Sequence, residues 1–413
     1  MEKLEEIKKI LNKYNQEHLL VCYEKLSSED KEKLLNQISS IDFDLMKDLY
    51  EKTKEEIDMG EDKITPIGYV DKSKLSDEEY QRLDDLGSKA IKAGKLAVLT
   101  MAGGQGTRLG YNGPKGTFDL GLDSHKTLFE LMCDTLKEAK NTYGIYVPWY
   151  IMTSNENNKQ TTEFFEENDY FGYPKEDIKF FIQGELPMIG TDGKILVNEK
   201  GLIKLAADGH GGVFEAVVKS KVLEDMKNRN VEWIFVGPVD NPLVNMVDSI
   251  FVGLAESNQC TAAGKSVVKA NPEERVGVFC TRNGKPSVVE YTEIISEMSN
   301  QRDENGELVY GESHINCNLF NIERINTIAK NKLPYHSAFK KAKYIDENGT
   351  LIDSIKPNSY KFEAFIFDAF TSLDSMAILR VKREDEFAPV KNAEGTDSPA
   401  TSRELYKKFH GIK

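Results

Sequence analysis

The stretch Leu96-Ala97-Val98-Leu99-Thr100-Met101-Ala102-Gly103-Gly104-Gln105-Gly106-Thr107-Arg108-Leu109-Gly110, followed at once by Gly113-Pro114-Lys115, decides how the rest of the chain is read. Leu96 to Met101 has the length and composition of a buried strand. Gly103, Gly104 and Gly106 then let the backbone bend tightly and approach a ligand without side-chain obstruction. Amide N–H groups exposed in such a bend, supplemented by Arg108 and Lys115, suit a polyphosphate. The loop is not a Walker A sequence, because no glycine-lysine-Ser/Thr follows at the required distance. It is not a dinucleotide fingerprint either, since Leu109 stands where Gly104-x-Gly106-x-x-Gly needs its third glycine.

Outward from this loop, apolar runs at Tyr146–Met152, Ile178–Gln183, Val231–Val239 and Met376–Val381 are separated by helical stretches such as Thr127–Lys140 and Val213–Asn228. That alternation predicts an α/β sheet covered by helices on both faces. Asn283-Gly284, Asn305-Gly306 and Asn348-Gly349 read as hairpin turns that add an antiparallel component. The fold expected is therefore a mixed, Rossmann-like sheet with ligands at the carboxyl ends of its strands. From Leu4 to about Glu56 the apolar spacing is helical, with Ser27-x-x-Asp30 as a helix start. Gly60 to Lys74 reads as a linker, and Ser76-Asp77-Glu78-Glu79 has the form of a capping box.

At 413 residues the chain exceeds the ~250–300 at which one core usually splits. Lys+Arg of 54 against Asp+Glu of 68 gives a formal charge of −14, which opposes binding to nucleic acid or anionic membrane. A phosphate ligand must then be drawn in by a local basic site. The charged start of the chain is no secretory signal, and no apolar run approaches the ~20 residues of a membrane span. Cys22, Cys133, Cys260, Cys280 and Cys317 are scattered and lack CxxC spacing, as reduced core thiols do. The expectation is a cytoplasmic monomer with no nucleic-acid or membrane partner.

With these residues in view, the chain resembles the UTP-dependent sugar-1-phosphate uridylyltransferases, and within them the eukaryotic type of UDP-N-acetylhexosamine pyrophosphorylase. That family's nucleotide loop, LAGGxGTRLG followed by PKG, is complete here except that Met101 replaces leucine. Further matches follow in order: Gln183-Gly184-Glu185-Leu186-Pro187, Asp208-Gly209-His210-Gly211-Gly212, Val239-Asp240-Asn241, Val289-Glu290-Tyr291-Thr292-Glu293, Asn316-Cys317-Asn318, Lys361-Phe362-Glu363 and Arg383 to Asn392. Gln16-Glu17-His18-Leu19-Leu20 and Leu333-Pro334-Tyr335-His336 resemble the hexosamine branch. Family members continue beyond a point equivalent to Asn392 into a C-terminal domain, which the resemblance implies is shortened here.

The resemblance implies a nucleotidyltransferase of the GT-A-like kind, divided into an N-terminal helical region (1–62), a catalytic domain (63–382) and a short C-terminal tail (383–413). It implies that Arg108, Lys115 and Lys361 act on phosphates, and that Met101, Ala102, Gly103, Gly104, Gln183 and Gly211 hold UTP. Gln183 carries an amide that both donates and accepts, as the imide edge of uracil requires. Gly277, Glu290, Asn316 and Asn318 are the implied sugar residues. Asp240, at the end of an apolar strand, is the implied magnesium ligand, with Asp368 or Glu363 as candidates for a second. His210 stands where asparagine is usual and reads as a turn residue near the nucleoside. The implied reaction joins UTP and N-acetylglucosamine 1-phosphate with release of pyrophosphate. The alternatives are the same transfer to glucose 1-phosphate or another hexose 1-phosphate, and a catalytically silent nucleotide-sugar-binding protein.

Overall fold

The computed structural model describes residues 2–55 and 62–412, so Glu56, where the expected helical region ends, and Gly60 and Glu61 at the start of the expected linker lie outside the described residues. The chain divides into two units, and both are discontinuous in sequence. The larger comprises residues 61–183, 213–333 and 366–413; the smaller comprises 1–60, 184–212 and 334–365.

The larger unit is built on an 11-stranded mixed sheet. Its main path runs Val70–Asp71, Ala377–Arg380, Ala262–Val268, Glu312–Asn321, Trp233–Pro238, Leu96–Met101, Trp149–Thr153, Ile178–Ile182. Along this path Glu312–Asn321 alone runs antiparallel to its neighbours. Every residue of Leu96–Met101 is buried. Leu96 and Val98 join Phe129, Trp149 and Phe251 on one face, while Ala97, Leu99 and Met101 join Phe214, Ile325 and Phe370 on the other. A strand covered on both sides has no polar face to display, which is why its sequence is a continuous apolar run. Its one polar residue, Thr100, accepts a hydrogen bond from the Trp149 indole at 2.9 Å.

Local signals set the helix starts. Ser27, Ser76 and Thr127 each accept an amide hydrogen bond from the third residue of the helix they cap, and Ser76 and Thr127 complete capping boxes with Glu79 and Glu130. Asn283-Gly284 forms a two-residue hairpin with both φ angles positive, as a type I′ turn demands. Asn348-Gly349 lies in the loop joining the antiparallel strands Lys343–Ile345 and Leu351–Asp353. The expected helix over 213–228 is broken in two at Ser220-Lys221, where Lys221 adopts φ +62°. The expected linker supplies two short strands, Ile64–Pro66 and Val70–Asp71. Burial pushes the Cys133 thiol up to about 12 and that of Cys280 to about 11, which keeps both protonated and inert at neutral pH.

In the smaller unit, helices Glu2–Lys13, Ser28–Ser40 and Phe43–Lys52 pack Ile7, Leu11, Leu34, Ile38 and Met46 against Ile189, Ile195, Val197, Ile203 and Phe362. The Gln16 side chain accepts from the Ile195 amide at 2.9 Å and donates to the Gly193 carbonyl at 3.0 Å, while the His18 ring meets the Ile195 carbonyl at 2.7 Å. Through those bonds Gln16 and His18 tie the segment after the first helix to the strand region around Ile195.

Beneath the carboxyl edge of the large sheet lies a buried charge cluster. The Lys265 ammonium, fully buried, donates to Asp248 at 2.8 Å, to Glu386 at 2.5 Å and to the Asn245 carbonyl at 2.9 Å. Lys72 adds a second bond to Asp248 at 2.8 Å. The two cations hold the Asp248 carboxyl well below the usual carboxylate range despite its burial. Lys265→Met keeps the stem volume but leaves two buried carboxylates without their shared cation. We expect a loss of about 3–5 kcal/mol in urea unfolding; a loss of no more than about 1 kcal/mol, typical of an exposed pair, would show the cluster to be peripheral to stability.

Candidate active site

Four parallel strands end at the same edge of the large sheet, and each ladder extends one residue into the loop that follows. Ala102 N donates to Met152 O (2.7 Å), Val239 N to Met101 O (3.2 Å) and Gln183 N to Thr153 O (2.9 Å). From this edge the glycine-rich loop folds back on itself, with Lys115 N on Gly104 O (3.1 Å) and Gly106 N on Gly113 O (2.9 Å). The amides of Gly103 and Gly104 have no partner among the described residues. Asn157, fully buried, donates from Nδ2 to the carbonyls of Ala102 (2.9 Å) and Gly104 (3.2 Å). With the carbonyls drawn inward, the Gly103 and Gly104 amides are left to an incoming acceptor, which is how a backbone nest receives an anion. A Cβ on Gly103 would lie 2.6 Å from Gln183 Oε1, so glycine is what lets the Gln183 amide lie over the loop. A Cβ on Gly104 meets nothing within 4 Å.

Lys115 follows the loop and donates to Asp240 Oδ2 at 2.8 Å, with both side chains mostly buried. The Asp240 carbonyl in turn accepts from Val390 N at 2.8 Å. Arg108, on the short turn Thr107–Leu109, is exposed. No group of three or more His, Cys, Asp or Glu side chains among the described residues is placed to hold a metal. A single strand-end carboxylate beside a phosphate-type loop nonetheless fits magnesium, which takes one or two carboxylates and completes its shell with phosphate and water oxygens. Glu363, one candidate for a second ligand, is engaged by Lys361 at 2.8 Å.

A second polar group lies on the antiparallel strand Glu312–Asn321 and its neighbours. A Cβ on Gly277 would meet Glu290 Oε1 at 3.1 Å and Val288 at 2.7 Å, so this glycine seats Glu290 beside the strand end. The Gly277 carbonyl accepts from His314 N at 2.9 Å, and the His314 ring bonds the Asn318 side-chain oxygen at 3.1 Å. Gly277 and Asn318 are thus linked through His314, with Glu290 beside Gly277. Asn316 sits between His314 and Asn318 with φ +58°.

In the smaller unit, Lys361 lies on the strand Ser359–Glu363 and is paired with Glu363. Gly211 belongs to the turn His210–Gly212, and its amide donates to Ala364 O at 2.8 Å. A Cβ there would collide with the backbone of Ala364 and Phe365 at 2.7–2.8 Å, so the packing of this unit already requires glycine. The His210 ring tilts against Phe365, centroids 5.4 Å apart, in keeping with a turn residue.

Comparison with known proteins now bears on this geometry. The model of the family described as UTP–glucose-1-phosphate uridylyltransferase matches residues 40–408. The chain belongs to this family. Within it, the chain is 36% identical to human UDP-N-acetylhexosamine pyrophosphorylase-like protein 1, over 98% of this chain and 84% of the relative. It is 34% identical to the UDP-N-acetylglucosamine pyrophosphorylase of Saccharomyces cerevisiae, covering 97% and 89% respectively. The crystal structure of the uridine diphosphate N-acetylglucosamine pyrophosphorylase from Trypanosoma brucei superposes with a TM-score of 0.81 at 31% identity, over 98% of this chain and 84% of that one. UDP-glucose pyrophosphorylases such as that of Leishmania major, at 17% identity and a TM-score of 0.67, share the fold.

Two residues of this family member escape the sequence reading. Asn157 acts on carbonyls more than fifty positions away, and His314 lies in a strand with no apolar run to mark it. Asn157→Ala removes both Nδ2 bonds to the loop; Gly104 O keeps Lys115 N, while Ala102 O loses its side-chain donor at a cost of about 1–3 kcal/mol if it remains buried. The expected result is faster hydrogen exchange confined to residues 103–115 and a lower Tm. Unchanged exchange in that segment would remove Asn157 from its support.

Proposed function

We propose that this chain transfers the uridylyl group of UTP to N-acetylglucosamine 1-phosphate, with magnesium, forming UDP-N-acetylglucosamine and pyrophosphate. The observation that carries this reading is the glycine-rich loop with two unpartnered amides, Gln183 lying over it and the Lys115–Asp240 pair beside it, in a chain of this family. A phosphate oxygen of the sugar phosphate attacks the α-phosphorus of UTP; the bond from that phosphorus to the α–β bridging oxygen breaks, and its electron pair leaves on pyrophosphate. No proton need be moved, so catalysis reduces to alignment and charge stabilisation.

In this reading the Gly103 and Gly104 amides, Arg108 and Lys115 hold the triphosphate, Met101 and Ala102 shape the floor of the site, and Gln183 pairs with the uracil edge. Asp240 is the residue that would hold magnesium, and the ion would supply Lewis-acid neutralisation of the phosphate oxygens. Glu290, Asn316 and Asn318 are assigned to the sugar, with Gly277 making room for Glu290. Gly211 is assigned to the nucleoside and Lys361 to the departing pyrophosphate. The cytoplasm, where reduced cysteines are expected, is the compartment this reading implies.

Release of pyrophosphate from UTP on adding a panel of sugar 1-phosphates tests the reaction. N-acetylglucosamine 1-phosphate should be favoured over glucose 1-phosphate; equal kcat/KM would shift the substrate to hexose 1-phosphates, and no release from any sugar would leave a silent binding protein. Lys361→Ala should lower kcat by about 10²–10³ at unchanged stability, by analogy with loss of one oxyanion donor; near-normal turnover would remove Lys361 from the reaction. Gly104→Val places its side chain in open space, so it should fold normally yet lose UTP affinity more completely than Arg108→Lys, which keeps its charge but loses the planar fork. Titration calorimetry decides the ranking, and normal UTP binding by Gly104→Val would refute the phosphate-cradle reading.

A further inference from the structure

We propose that His314 is a positioning residue for sugar recognition: it fixes the Asn318 carboxamide so that Asn318 Nδ2 and Asn316 Oδ1 together meet a secondary amide on the substrate. The assignment rests on the sugar reading above and goes beyond it by naming which atoms read the acetamido group and what holds them.

The geometry depends on a bulge. In a regular strand, residues four apart are separated by about 13 Å, yet the His314 ring and the Asn318 side chain bond at 3.1 Å. His314 pairs with Ser266 and Asn318 with Gly264, so four steps along one strand are matched by two along its neighbour. Ile315, Asn316 and Cys317 absorb the excess, with Asn316 in the left-handed region at φ +58°. Bulges of this kind re-aim side chains beside functional sites.

The imidazole is itself held. Its backbone amide donates to Gly277 O at 2.9 Å, and its ring lies edge-on to Phe279, Phe370 and Phe367 at centroid distances of 4.8, 5.7 and 6.1 Å. The bond to His314 occupies Asn318 Oδ1 and leaves Nδ2 for another partner. Asn318 is fully buried, and its Nδ2 and the Oδ1 of Asn316 have no hydrogen-bond partner among the described residues. A buried donor or acceptor without a partner costs free energy, and here one of each lies two residues apart. A secondary amide carries an N–H donor and a carbonyl acceptor on separate atoms, which is the complement of this pair; a hydroxyl carries both on one atom.

The test compares wild type, His314→Phe, which keeps an aromatic ring in the cage without an N–H, and His314→Gln, which keeps a donor for Asn318. For each, kcat/KM is measured with N-acetylglucosamine 1-phosphate and glucose 1-phosphate, together with the KM for UTP. The expected result is that His314→Phe lowers the ratio of the two sugars by about 10–100-fold, the scale of a misplaced positioning contact. The change is carried by the KM for the acetylated sugar at unaltered KM for UTP, and His314→Gln recovers most of it. A wild-type ratio near one would sink the sugar reading and this assignment with it. A strong wild-type preference kept in full by His314→Phe would sink the assignment alone. Equal losses for both sugars and UTP would reduce His314 to a structural role and overturn the proposal.

Discussion

The Lys265 ammonium, held out of water between Asp248 and Glu386, is the constraint on which the catalytic edge of the larger unit depends. Asp248 and Asn245 belong to the segment that leaves the strand Trp233–Pro238, Lys265 to the strand Ala262–Val268, and Glu386 to the turn Arg383–Glu386. One cation therefore ties three chain segments together in a medium where an unpaired charge is intolerable. The ties continue outward: Asn241 donates to Glu386 O (2.8 Å), Ala388 N donates to Asn241 Oδ1 (3.0 Å), and Val390 N donates to Asp240 O (2.8 Å). Asp240 thus holds its place through a chain of bonds that begins at a buried ion, and Lys115 meets it there.

What could be read from the sequence was what neighbours in the chain decide. The apolar run Leu96–Met101, the caps at Ser27, Ser76 and Thr127 and the Asn283-Gly284 hairpin are local, and each is found where its residues predict. Ala262–Val268 and Glu312–Asn321 are largely buried too but carry polar residues: Lys265 reaches Glu386, Ser266 reaches Glu312, and His314 bonds Asn318 across a bulge. Period and composition do not reveal a strand whose polar groups are accommodated by the tertiary fold and by a bulge.

The same distinction runs through the site. Glycine positions were legible as places of close approach, although the approaching group differs: Gln183 at Gly103, the Ala364–Phe365 backbone at Gly211 and Glu290 at Gly277. Asn157 and His314 were not legible, because their work is to hold other residues and nothing in their immediate sequence requires it. The bulge between His314 and Asn318 belongs to the pairing of two strands and has no signature in either one alone.

The discontinuity of the two units has a consequence for how the molecule is made. Phe362 and Leu34 share one apolar cluster in the smaller unit, yet they are 328 residues apart (362 − 34) in the order of translation. At about 5–20 residues per second, the N-terminal helices wait roughly 15–65 s for that partner. Ile189, Ile195, Val197 and Ile203 reach the same cluster earlier, but it stays incomplete until Phe362 is made. The larger unit waits as well, since Ala377–Arg380 joins its sheet only after residues 334–365 of the smaller unit have been made. Neither unit can close until residues 334–380 have been made, so a translational stall within residues 213–333 yields a fragment in which neither unit is finished.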